Sequence, residues 1–218
     1  QHQDLMANLG LGMKAMPGWL RRALGLSVAL LCAKIWCTAA LVNPSAFDPL
    51  WSPVALIYRG TLTVMLIGGI DLFLTLRARR SADMEVQGAA ERAGVLLTGV
   101  MVLWVGANVP ITLAIGTVPG WVELGEAGGI GAAMMSGLNL LGILGGLTTV
   151  VAATLIIRFS KGWPAGRTKL IAIVLILSLG FVGRVARHQV DHGGLERDPI
   201  GFLIESFWSL ARASGNGA

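Results

Sequence analysis

The chain has 218 residues, 54% hydrophobic and 13% charged, with a formal net charge of +5. Soluble globular domains carry about 25% charged residues, so this composition excludes an ordinary soluble fold and places the chain in the membrane class. The positive balance is not a nucleic-acid signal, because the basic residues flank apolar runs and read as topology markers.

The fold class this predicts is all-α: a polytopic integral membrane protein with five transmembrane helices in a bundle and an amphipathic interfacial helix at each terminus. Residues 1–22 read as an amphipathic interfacial segment, 23–187 as the five-helix transmembrane domain, and 188–218 as a C-terminal amphipathic helix and tail on the opposite side. In the first segment Leu5, Met6, Leu9, Met13, Met16 and Leu20 recur at helical spacing. They are spaced rather than contiguous, unlike a signal peptide. A start at Gln1 rather than Met raises two expectations, a cleaved precursor or a further N-terminal piece ahead of it.

The spans are expected at Ala23–Val42, Val54–Leu76, Ala93–Val118, Ile130–Ile157 and Lys169–Val185. Each approaches or exceeds the roughly 20 residues needed to cross a hydrocarbon core. Asn43-Pro44, Asp48-Pro49, Pro119-Gly120 and Gly162-Trp163-Pro164 supply the turn chemistry between them. Cys32 and Cys37 lie on the first span about 140° apart, so they form neither a bridge nor a metal pair.

Basic residues alternate by connection. Lys14, Arg21 and Arg22 precede the first span, Arg77, Arg79, Arg80 and Arg92 follow the second, and Arg158, Lys161, Arg167 and Lys169 follow the fourth. The other two connections hold Asp48, Glu123 and Glu126 and no Lys or Arg. The positive-inside rule then sets the N-terminus on the cytoplasmic or matrix side of a bacterial cytoplasmic or mitochondrial inner membrane. Five spans put the C-terminus across it, where Arg184, Arg187, Arg197 and Arg212 are partly offset by Asp191, Glu196, Asp198 and Glu205. Trp19, Trp51, Trp121 and Trp163 fall at span ends, where interfacial anchors belong.

The C-terminal helix has Asp198 as N-cap and Pro199 at its first position. Ile200, Leu203, Ile204, Phe207, Trp208 and Ala211 then form an apolar stripe suited to the interface or to a partner. Helix packing is expected through Gly125 and Gly129, and through Gly142 and Gly146, two GxxxG spacings that let backbones approach. On that ground the fourth helix is expected to be the most enclosed, either inside the bundle or against a partner.

Polar groups inside spans are costly and are functional candidates. They are Lys34, Arg59, Asp71 and Asn108, with Asn139 in the fourth span. Lys34 and Asp71 lean toward each other from antiparallel helices across roughly 10 Å of depth, so one reading is a functional intramembrane ion pair with Asn108 nearby; the other is a pair that only fixes helix register, or a Lys34 that snorkels alone. Arg59, at the mouth of the second span, suits a lipid phosphate or an anionic ligand. His188 and His192 share a helix face at i, i+4 as weak metal candidates, but no further ligand is evident, and no metal or other cofactor is expected beyond bound lipids. The chain has no P-loop, dinucleotide fingerprint, CxxC, HExxH or GxSxG.

Ile57-Tyr58-Arg59-Gly60, followed by Asn108-Val109-Pro110-Ile111, resembles small four-helix membrane proteins related to anthrone oxygenases, over roughly the first four spans. The polar residues around these motifs differ from the family's, the fifth span is extra, and no catalytic residue carries over. The leading expectation is a non-catalytic integral membrane subunit of a larger complex, respiratory or otherwise energy-transducing. Its partners are the bilayer and other membrane subunits. The alternatives are a small transporter or channel with a polar path near Lys34 and Asp71, and a membrane enzyme acting on a quinone-like or polyketide substrate.

Overall fold

A computed structural model describes residues 16–43, 47–81, 83–120, 124, 132, 135, 140–163, 182–183, 185–186, 194–195 and 197–215. Within them run five helices: α1 (Gly18–Leu41), α2 (Trp51–Arg79), α3 (Met84–Ile115), α4 (Leu140–Phe159) and α5 (Gly201–Gly215). A 3-10 turn at Ser160–Gly162 follows α4. The first four are long and apolar enough to cross a membrane, which marks the chain as a multi-pass membrane protein. The fifth predicted span, together with Gly125, Gly129, His188 and His192, lies largely or wholly outside the described residues.

Hydropathy places these helices but not their ends. α1 begins five residues before its apolar run, after Pro17, and so takes Arg21 and Arg22 into the helix. α3 begins nine residues early because Asp83 caps it, accepting from the Glu85 amide at 2.8 Å. Glu91 and Arg92 thereby become helical.

The buried faces are stripes of small and polar residues. On α1 the stripe runs Arg22, Leu26, Ala29, Ala33, Cys37; on α2 it runs Ser52, Leu56, Gly60, Thr63, Ile67, Asp71. On α3 it is Gly94, Thr98, Val102, Val105, Val109, Thr112, and on α4 it is Gly142, Gly145, Thr149, Ala153. Steps of three and four residues keep each set on one side of its helix.

α1 packs against α2, α3 and α4, and α3 packs against α4. Antiparallel pairing of α1 with α2 follows from Ala23 meeting Gly68 and Leu30 meeting Gly60. α3 crosses α4 at Gly106 and Gly146. A Cβ on Gly146 would lie 2.7 Å from the Gly106 carbonyl oxygen, and one on Gly106 would lie 2.7 Å from a Val150 methyl. Pro110 has no amide to bond the Gly106 carbonyl, so that oxygen is free to face α4. Gly145 makes a second approach, under the Trp36 indole, whose N–H donates to the Leu141 carbonyl at 3.1 Å.

Within the bundle itself the fourth helix is less enclosed than the third, which corrects that half of the expectation. In their most apolar stretches, 28% of α4 is buried against 50% of α3. The glycines of α4 line one face only, and Leu140, Leu147 and Val151 on the other face are exposed.

The C-terminal segment enters the bundle rather than lying beside it. Leu195 and Ile200 belong to the same core cluster as Leu26, Leu56 and Val105. Gly194 has φ 89°, and a Cβ there would lie 2.3 Å from the Thr117 hydroxyl just past α3, so both backbone and space require glycine.

Candidate functional site

Two polar clusters sit inside the bundle, at different heights. The lower one lies at the end where α1 and α3 begin. Arg22 donates to both carboxylate oxygens of Asp71, through Nε at 2.7 Å and Nη2 at 2.9 Å. Its Nη1 donates to Glu91 of α3. The Arg22 and Asp71 side chains are only 5% and 2% exposed, whereas Glu91 is half exposed. A fork donating to both oxygens of one carboxylate is the geometry that guanidinium recognises best. Gly94 makes room for it: a Cβ there would lie 2.4 Å from Asp71 Oδ1 and 2.8 Å from Arg22 Nη2. One cation thus ties three helices together.

This corrects the expected Lys34–Asp71 pair. Asp71 is satisfied by Arg22, and Lys34 stands twelve residues further along α1, about 18 Å at 1.5 Å per residue. Arg22 and Glu91 were overlooked because each lies outside an apolar run, where a charge reads as a flank.

The upper cluster is built around Lys34, which is 7% exposed. Its Nζ donates to the Leu195 carbonyl at 2.9 Å and to the Arg197 carbonyl at 2.6 Å. The next residue, Asp198, is fully buried and lies within electrostatic reach of Lys34. One carboxylate oxygen of Asp198 accepts from the Thr63 hydroxyl of α2 and from the Gly201 amide at the start of α5. This is the N-cap anticipated from Asp198-Pro199, now inside the protein. The Trp104 indole of α3 donates to the Pro199 carbonyl at 3.1 Å. Further out, Arg59 approaches Glu205 of α5 at 3.9 Å. That pair is long and partly solvated, so it contributes at most about 1 kcal/mol.

Asn108, on α3, lines a cavity of about 20 Å³ together with Lys34, Thr112, Leu195, Arg197 and Pro199. Its carbonyl oxygen accepts from the Thr112 hydroxyl at 2.9 Å. Its Nδ2 is buried without a protein partner. The space suits about one water molecule.

Lys34 also borders a larger cleft between α1 and α2, about 520 Å³ in volume. Leu31, Ile35, Val42, Phe47, Leu56 and Ile57 form its apolar walls, and Lys34 and Thr38 are its polar side chains. Among the expected site residues the structure therefore brings Lys34 and Asn108 together, leaves Asp71 in a separate cluster, and sets Arg59 beside α5. Thr63, Trp104 and Asp198 complete the upper cluster and were not expected there.

Comparison with protein-family models, with curated proteins and with solved structures finds no match to the chain. The likeness to anthrone-oxygenase relatives rests on the eight residues quoted for it.

Proposed function

We propose that this chain binds a lipid-soluble molecule in the cleft between α1 and α2. The observation that carries the reading is the cleft itself: about 520 Å³, walled by aliphatic side chains and Phe47, with Lys34 and Thr38 as its polar groups. Ligand sites typically span about 300–1,000 Å³, mostly apolar, with few polar groups. The occupant is a membrane molecule with a long apolar body, of the quinone, polyketide or acyl-lipid kind. By the positive-inside rule the cleft belongs to the outer half of a bacterial cytoplasmic or mitochondrial inner membrane, with a fifth span at Lys169–Val185.

A second reading is a non-catalytic subunit of a larger membrane complex. It is favoured by an apolar stretch of α5, where Ile204, Phe207 and Trp208 are exposed and the two aromatic rings meet edge to face at 6.2 Å. Exposed aromatics of this kind anchor interfaces.

Native mass spectrometry of the chain extracted in mild detergent separates the two. Ligand binding leaves a small lipophilic mass on the wild type, and Leu56→Trp, which fills the cleft, reduces its occupancy at least tenfold. A subunit instead carries fixed partner chains, and Trp208→Ala releases them. A wild type without bound small molecules, or a Leu56→Trp variant with undiminished occupancy, ends the cleft reading.

A further inference from the structure

Gly194 sits against Thr117 at the far end of α3, Asp198 reaches Thr63 in mid-α2, and Glu205 returns to the level of Arg59 nearer the start of α2. The described part of the segment therefore runs from the far end of α3 to the depth of Thr63 and then back toward the start of α2. Irregular backbone at membrane depth is tolerated only where protein buries and satisfies it. Among the described residues, side chains of α1 and α3 do this. The carbonyls of Leu195 and Arg197 point at Lys34, and the carbonyl of Pro199 points at Trp104.

We propose that the carbonyls of Leu195 and Arg197, with the Asp198 carboxylate beside them, form a cation cage, and that the Lys34 ammonium is its built-in cation, latching a re-entrant C-terminal segment into the bundle. Two backbone carbonyls at 2.9 and 2.6 Å and one buried carboxylate nearby are the oxygen set that takes a monovalent cation of ammonium size at a broken membrane helix. Lys34 brings the charge on its own stem, so it arrives already positioned and no free ion is needed. Asp198 has a double duty: it offsets that charge and caps α5 through the Gly201 amide. Lys34 is thus a positioning residue for the segment. Because it also borders the α1–α2 cleft, it is the wall between the cleft and the segment.

The vacated cage should accept a soluble alkylammonium ion. Hydrogen exchange is followed by mass spectrometry on the full chain in nanodiscs, at the amides of Arg197, Gly201 and Phe202, which bond Gly194, Asp198 and Asp198 respectively. In Lys34→Met these amides should exchange at least tenfold faster, while amides of α4 keep their wild-type rates. Lys34→Ala should behave likewise and return to within about twofold of wild type in n-propylammonium chloride, but not in propan-1-ol. Unchanged exchange in Lys34→Met overturns the proposal, as does equal rescue by the alcohol. Should neither Lys34 variant fold, Asp198→Asn serves instead, since it keeps a capping oxygen and removes only the charge. It should speed the same amides at least fivefold, and wild-type rates there would equally refute the latch.

Discussion

Arg22 and Lys34 are both buried on α1, about 120° apart around the helix, and each is met by oxygens of the protein. Their partners differ in kind. Arg22 forks onto a carboxylate, whereas Lys34 takes carbonyls, as suits a compact ammonium with three donors. Removing one partner of a buried pair leaves the other charge stranded, at a cost of about 3–5 kcal/mol. Asp71→Ala should therefore lower the stability of the detergent-solubilised chain by that amount, while Glu91→Gln, half exposed, should cost about 1 kcal/mol or less. Thermal unfolding of the two variants tests the contrast, and equal melting temperatures would contradict it. That Lys34, Asp71 and Asn108 are special was legible in the sequence, because polar side chains stand out in apolar runs. Who meets whom was not, since Arg22 and Asp198 sit outside those runs.

At the scale of elements, the apolar runs located both ends of α2 and the far ends of α1, α3 and α4 to within about three residues, while the expected start of the fourth span at Ile130 lies outside the described residues. The ends that moved, at Arg22 and Glu91, carry charges that satisfy one another inside the bundle. The packing faces were hidden from hydropathy for a physical reason: lipid is as apolar as the core, so no helix needs one oily side. What marks the faces is small size and occasional polarity, as in the Ser52, Gly60, Thr63, Asp71 stripe. Gly146 was legible by that criterion, and its neighbour Gly106 supplies the matching surface. Glycine spacing told which side of α4 packs, not how much of it. Gly146→Val should drive side-chain atoms into the Gly106 carbonyl and cost about 1–3 kcal/mol of overpacking. Gly99→Val, where a Cβ meets open space, should be nearly neutral. Unfolding in graded sodium dodecyl sulfate compares them, and a harmless Gly146→Val would show that the α3–α4 crossing is looser than described.

At the scale of the whole molecule, the charges divide by end. Arg77, Arg79, Arg80, Arg158 and Lys161 lie where α2 and α4 finish, and Asp48 lies where α2 starts. Single cysteines in a Cys32→Ser, Cys37→Ala background report which end faces which compartment. In cells with the chain in their cytoplasmic membrane, Asn43→Cys should react with an impermeant maleimide from outside, and Ser81→Cys only after permeabilisation. The reverse pattern would invert the orientation.

The latch at Lys34 also imposes an order on biogenesis. Its acceptors lie 161 and 163 residues downstream, on the order of 10–30 s of synthesis at ordinary translation speeds. Through that interval the nascent chain holds an ammonium inside a membrane-spanning helix without these two acceptors, a state that favours snorkelling, local water or a waiting insertase. Completion of the bundle is thus a late, near-terminal event, and a ribosome that stalls before Leu195 leaves behind a charged, unsealed bundle for membrane quality control to recognise.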